Sequence, residues 1–246
     1  MVADLSMHET RISRMLREVE SPSVVRSWTA HYSMSFDAAQ YRTSTAVELG
    51  VPLLASLRSA SQKRQAEFVA GRYCAIRAMR RLGWAGEVEL SVGLNYPPLW
   101  PAGMVGSITH TANFVSAAVA STRDLRSVGI DSETVMNRKI MHDIGNTVLC
   151  DDERDLCGCE LGLGQEAFVT LVFSAKESIF KCLFPVVNVF FEFSDAEIFA
   201  IDVRTGEFHY RLLKDLSPEF RTGYIGSGRF ELSQPHVHTG VELGWR

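Results

Sequence analysis

Residues 127–135, SVGIDSETV, run from an apolar strand directly into two carboxylates, Asp131 and Glu133, with only Ser132 between them. Side chains alternate along an extended chain, so both acids leave the same face. Like charges converging at the end of a buried strand make it costly to ionise both, unless a cation, a proton or a basic neighbour offsets the repulsion. The pair therefore reads either as a strand end facing water or as a hard-oxygen site suited to Mg²⁺ or Mn²⁺.

A second stretch, FSAKESIFKC at residues 173–182, bears on that choice. On a helix Glu177 and Lys181 lie four apart on one face, with Lys176 adjacent, and the rest of the helix is apolar at Phe168, Leu171, Val172 and Ile179. Glu177 and Lys181 read alone as a surface ion pair; beside the D-x-E pair they would add a third oxygen ligand and two cations. A third stretch, GSITHT at 106–111, combines small residues that allow close approach to an anion with His110, which can donate to a phosphate oxygen.

The surrounding chain reads as an ordinary globular protein: 246 residues, 46% hydrophobic and 22% charged. No run approaches the roughly 20 apolar residues of a membrane span, and the charged N-terminal stretch does not read as a secretory signal, so the expectation is a cytoplasmic protein. Five cysteines then read as reduced thiols; Cys157 and Cys159 supply half a zinc site with no partner pair at suitable spacing. The net charge of −4 argues against a nucleic-acid partner, yet Arg58, Lys63, Arg64, Arg72, Arg77, Arg80 and Arg81 face a single acid, Glu67, in one stretch.

Periodicity predicts a helix within 51–82, interrupted at Gly71 where something must pack close to the backbone. It predicts strands at 87–92, across MVGSITH and FVSAAVAST with a turn at 111–113, and at SVGID. Further helices are expected at 136–146, 149–157 and 165–183, the last ended by Pro185, followed by a strand-rich remainder beginning at VFFEF. GLNYPPLWPAG is too rich in proline and glycine to be regular. The pattern fits an α+β chain of two subdomains of similar plan, 1–124 and 125–246.

Together and in order, EFVAGRYCAIRAM (67–79), PLWPAGMVGSITHT (98–111), VGIDSE (128–133) and FSAKESIFK (173–181) resemble the 4'-phosphopantetheinyl transferases, siderophore type; LCDDERDL (149–156) is similar but less closely. The resemblance implies a monomer of two similar α+β halves with coenzyme A as co-substrate in the cleft between them. It makes Asp131, Glu133 and Glu177 the ligands of Mg²⁺, with Mn²⁺ as a substitute. It assigns Thr109, His110, Arg64 and Arg72 to the CoA phosphates and Lys176 and Lys181 to the pyrophosphate, Asp131 also belonging to that shell. The implied reaction moves the phosphopantetheine arm to a serine of an apo acyl, peptidyl or aryl carrier protein, with Glu177 as base, directly or through a metal-bound water, and Lys181 either stabilising the departing phosphate or binding the incoming acidic partner. Met136, Ile140 and Met141 are expected on the carrier-docking surface. Related siderophore enzymes often carry basic residues just before the P-x-W-P segment, where this chain has Asn95 and Tyr96. CoA affinity then rests more on the arginines of 58–81, or Tyr96 stacks on the adenine. Two rivals remain: a metal-dependent nuclease, whose usual core sets Glu and Lys two apart on a strand, and a CoA- or carrier-binding protein without turnover.

Overall fold

The computed structural model describes residues 14–86, 98–158 and 161–245. The expected strand at 87–92, Asn95, Tyr96 and Cys159 lie outside the described residues, as does the side chain of Cys157. The described chain is α+β, as expected, and divides into two compact units. One takes the described residues through Ser21 and those within Trp28–Ser121; the other takes Pro22–Ser27 and the described residues from Thr122 onward.

In the first unit, β1 (Leu16–Val19), β2 (Ala30–Phe36), β3 (Met104–His110) and β4 (Phe114–Ser121) form an antiparallel sheet in the order β1-β2-β4-β3. A short helix, α1 (Thr43–Glu48), precedes α2 (Gln62–Arg81), which packs on the sheet through Phe68, Val69, Ala75 and Met79 against Tyr32, Val115 and Val119. The helix is shorter than the periodic stretch because Ser61 caps it, its hydroxyl accepting from the Arg64 N–H at 3.2 Å. Gly71 has the close neighbour expected of it: a Cβ there would lie 2.9 Å from Ile108 Cγ2 on β3. Trp100 covers Gly106 in the same way, 2.6 Å from where a Cβ would stand, so the end of the loop at Trp100 lies against the strand that carries Thr109 and His110.

In the second unit, β5 (Leu125–Thr134), β6 (Ala196–Asp202), β7 (Glu207–Leu212), β8 (Ile225–Ser233) and β9 (His236–Gly244) form an antiparallel sheet in the order β5-β9-β8-β7-β6. Helices α3 (Arg138–Val148) and α4 (Asp151–Gly158) precede α5 (Gln165–Val187), whose Phe168, Leu171, Ile179 and Leu183 bury against Phe208, Tyr210, Phe230 and Val241 of the sheet. Pro22–Ser27 packs as a strap on this unit: Val24 is buried with its carbonyl against Gly240, the Ser23 N–H donates to Glu231 Oε2 at 2.8 Å, and the Arg26 N–H donates to Glu242 Oε2 at 3.2 Å.

Two expectations here need correction. Pro185 does not end α5; it lies in the last turn, and the helix stops at Asn188, which adopts the left-handed conformation at φ 51°. VFFEF is not a strand, because the turn at Asn188 sends residues 189–192 into an irregular loop followed by a single 3-10 turn, Phe193–Asp195.

Candidate active site

Gly129, Asp131 and Glu133 share one face of β5, and that face meets α5. Gly129 has no side chain because the helix backbone occupies the space: a Cβ would collide with the Ser178 carbonyl and the Cys182 amide. The close approach brings Asp131, two residues further on, within reach of α5. Asp131 is 3% exposed; its Oδ2 accepts from the Ser174 hydroxyl at 2.8 Å and its Oδ1 from the Lys181 ammonium at 2.5 Å. The Lys181 side chain is 29% exposed against 4% for Asp131, so the lysine is the partner that meets solvent.

Glu133 and Glu177 complete the charged group. The Glu133 carboxyl is pushed up to about 7 by burial and by the Asp131 charge, with Lys181 pulling the other way and Glu177 adding repulsion. Burial also raises Glu177, opposed by Lys181 and assisted by Asp131. Burial lowers the Lys181 ammonium, but Asp131, Glu177 and Glu133 outweigh it and raise the group above its ordinary value. Of the three carboxylates and two lysines expected together, Asp131, Glu133, Glu177 and Lys181 interact at the end of β5 and on α5.

Among the described residues, no three of His, Cys, Asp and Glu form a ready-made metal cluster. The position on Asp131 Oδ1 is taken by Lys181. The donor chemistry nonetheless fits Mg²⁺ or Mn²⁺: the oxygens are hard carboxylate donors, three against one ammonium, and burial followed by repulsion from Asp131 raises Glu133, a cost that a cation would offset.

Lys176, expected beside a pyrophosphate, is turned into the protein. It is 2% exposed, and its ammonium donates to Glu153 Oε2 at 2.8 Å and to the carbonyls of Val148 at 2.7 Å and Phe193 at 2.9 Å, which accounts for all three N–H groups. Glu153, fully buried, also accepts from the Cys150 and Ile198 N–H groups at 2.7 Å each. The pair pins α4, α5 and β6 to one another. Met136, expected on the surface, is buried, its N–H donating to Thr170 Oγ1 at 3.0 Å, whereas Ile140 is 46% exposed.

Beside Glu177 opens a cavity of about 580 Å³, walled largely by Phe180, Phe190, Phe191 and Phe193, with Asn146 and Thr147 among its polar residues. The strand expected from VFFEF is therefore cavity wall. Nothing in the alternation of those residues marks it; the signal available was the run of aromatics itself.

In the first unit, Thr109 is buried on β3 and His110 half-buried at its end. Arg72 lies 4.3 Å over the Phe68 ring, its Nε is buried without a hydrogen-bond partner, and burial with the Arg64 charge lowers it to about 10. A buried guanidinium donor without a partner, beside a second cation, suits an anion. Arg64 is half-exposed and only loosely paired with Glu67, at 3.7 Å. The remainder of the basic stretch is used differently: Arg77 and Arg81 lie 5.0 and 4.5 Å over the Tyr32 ring, and Arg81 pairs with Glu18 at 2.8 Å.

Comparison with known proteins gives this arrangement a context. Residues 54–120 match the 4'-phosphopantetheinyl transferase N-terminal domain, and residues 127–233 match the 4'-phosphopantetheinyl transferase superfamily. The chain is 36% identical over 148 residues to enterobactin synthase component D of Salmonella typhimurium, covering 60% of this chain and 59% of that protein. It is 38% identical over 160 residues to the 4'-phosphopantetheinyl transferase Svp of Streptomyces mobaraensis, covering 65% and 63%. With enterobactin synthase component D of Escherichia coli K12 the identity is 32% over 154 residues, covering 62% of this chain and 69% of the relative. The alignments thus span about three fifths of the first two relatives. Two family models in tandem, and a relative at 32% identity matched over more than two thirds of its own length, place this chain in the 4'-phosphopantetheinyl transferase superfamily.

Proposed function

We propose that this protein transfers the 4'-phosphopantetheine arm of coenzyme A to a serine hydroxyl of an apo carrier protein and releases adenosine 3',5'-bisphosphate. The observation that carries the reading is the interacting group of Asp131, Glu133, Glu177 and Lys181, of which Glu177 also lines a largely apolar cavity. The phenylalanine walls suit the uncharged arm of the co-substrate, and the charged edge suits the diphosphate to which the arm is joined.

Asp131, Glu133 and Glu177 are proposed to hold Mg²⁺ or Mn²⁺. The chemistry such an ion supplies is offset of negative charge on the diphosphate as the bond to the leaving phosphate weakens. Arg72, with its unpartnered Nε, is proposed to bind a CoA phosphate together with Arg64, Thr109 and His110. The carrier serine oxygen attacks the phosphorus that bears the arm, and the bond from that phosphorus to the nucleotide phosphate breaks. The serine proton passes to the Glu177 carboxylate, whose proton affinity is already raised by burial. Lys181 neutralises charge on the departing nucleotide phosphate. Because Lys176 has no free donor, its part is to hold α5 in place.

Relatives named for enterobactin synthesis favour carriers of siderophore assembly, with Met141 and the exposed Ile140 on the docking surface. The test is incubation with CoA, Mg²⁺ and a panel of apo acyl, peptidyl and aryl carriers, followed by intact mass. Addition of the arm to at least one carrier is expected. A protein that binds CoA and modifies none of them defeats the reading.

A further inference from the structure

Resting on the reading of Asp131 as an active-site carboxylate, we infer that Thr239 on β9 is a positioning residue for the transfer. Its hydroxyl is the hub of a buried relay that fixes Asp131 Oδ2 and leaves Oδ1 as the oxygen offered to Lys181 and the reacting groups. Thr239 stands opposite Asp131 in the β5–β9 register, in a part of the chain beyond the matched family regions.

The direction of the relay follows from counting protons. The Ser174 hydroxyl donates its proton to Asp131 Oδ2 at 2.8 Å, because the carboxylate, paired with an ammonium, can only accept. Toward Thr239, then, Ser174 offers only acceptors: its hydroxyl oxygen at 2.9 Å and its carbonyl oxygen at 2.8 Å from Thr239 Oγ1. Thr239 has a single proton, which the Ser174 carbonyl accepts with the Ser174 hydroxyl oxygen as the second acceptor of a three-centre bond, so in the contact between Ser178 and Thr239 the Ser178 hydroxyl is the donor. The order is Ser178 to Thr239 to Ser174 to Asp131. All three hydroxyl residues are fully buried, so no water substitutes for a missing member. Ser174 and Lys181 lie two helical turns apart on α5 and grip one oxygen of Asp131 each, which fixes the rotation of the carboxylate plane. A valine would fill the space of Thr239; only the hydroxyl orders the chain.

The experiment uses the full chain with Thr239→Val, Thr239→Ser, Ser174→Ala, the Thr239→Val/Ser174→Ala double variant and Ser178→Ala. Affinity for Mn²⁺ alone is read by paramagnetic resonance, kcat and KM for CoA by the transfer assay, and folding by thermal melting. Groups that orient metal ligands typically influence affinity or activity by about 10–100-fold. Thr239→Val is expected to weaken Mn²⁺ binding and lower kcat by about tenfold with KM for CoA unchanged, and Thr239→Ser to restore both to within about twofold. The double variant should be no worse than Ser174→Ala, since both act through one hydrogen-bond chain. Wild-type behaviour of Thr239→Val, failure of Ser to rescue, or multiplied losses in the double variant each overturn the inference. Should Thr239→Val not melt cooperatively, Ser178→Ala decides: a loss in the same direction supports the relay and an unchanged protein refutes it. Should the wild type modify no carrier, the functional reading fails, and the Mn²⁺ arm decides the inference by itself. A wild type that neither transfers nor binds Mn²⁺ sinks both.

Discussion

Asp131 commits both oxygens to α5, whereas among the described residues Glu133 and Glu177 are held by no such double grip. Replacing Asp131 with Ala therefore removes an acceptor from two donors at once. Transfer is expected to fall at least about 100-fold, the scale of losing a charge-stabilising group at a reacting centre. The melting curve should stay cooperative with a lower midpoint, since Lys181 can turn to solvent and only the Ser174 hydroxyl is left buried. Lys176 gives the contrasting case. With both partners almost wholly buried, Lys176→Met strands the Glu153 carboxylate and should cost about 3–5 kcal/mol in urea denaturation, while a Lys176→Met/Glu153→Leu protein should recover most of it. The sequence could not separate the two lysines of one motif. Both follow the same apolar helix pattern, and only the packing of Glu153 from the less closely matching stretch at 149–156 decides which lysine turns inward.

At the scale of elements, the contact between β5 and α5 sets the site, and it depends on Gly129. Gly129→Ala places a methyl group against the Ser178 carbonyl and should destabilise by about 1–3 kcal/mol through overpacking. The helix carrying Ser174 and Lys181 would also move off Asp131, so transfer should drop by more than the lost stability explains, which thermal melting and the mass assay can compare. A glycine inside a regular element asks for a close neighbour: the one beside Gly129 in β5 came to light only in the packing against α5, whereas the glycine at 71 was legible. Strand β2 was not. Its Ser33 is buried against Ser116 at 2.9 Å, and His31 reaches the same hydroxyl at 2.6 Å, so the interior of the sheet is polar where an alternating apolar pattern is the usual sign. Residues 189–193 failed the opposite way: a strand-like composition serves as cavity wall after the left-handed turn at Asn188.

For the molecule as a whole, the meeting of Asp131 with Glu177 and Lys181 was implied by the family resemblance and not by the spacing, whereas the α+β class and the cationic helix were open to sequence reading, because charge placement and periodicity are local properties. The division of labour on that helix was not, since Tyr32 and Glu18, which engage Arg77 and Arg81, come from distant positions. Coenzyme A should raise the melting midpoint of the intact protein, since a ligand at about 100 times its Kd contributes about 2.7 kcal/mol. Arg72→Ala should lose most of that gain and raise KM for CoA with little change in kcat, measured by melting with titrated CoA and by steady-state kinetics. EDTA should silence transfer, and Mg²⁺ or Mn²⁺ should restore it. The strap at Pro22–Ser27 carries a different lesson. Because Val24 seats its carbonyl on Gly240 while the residues on either side of the strap belong to the other unit, the polypeptide changes allegiance three times. A chimera spliced at residue 122 would bring in a foreign sheet for which this strap was never fitted, so relatives sharing only part of this sequence are poor donors of interchangeable halves.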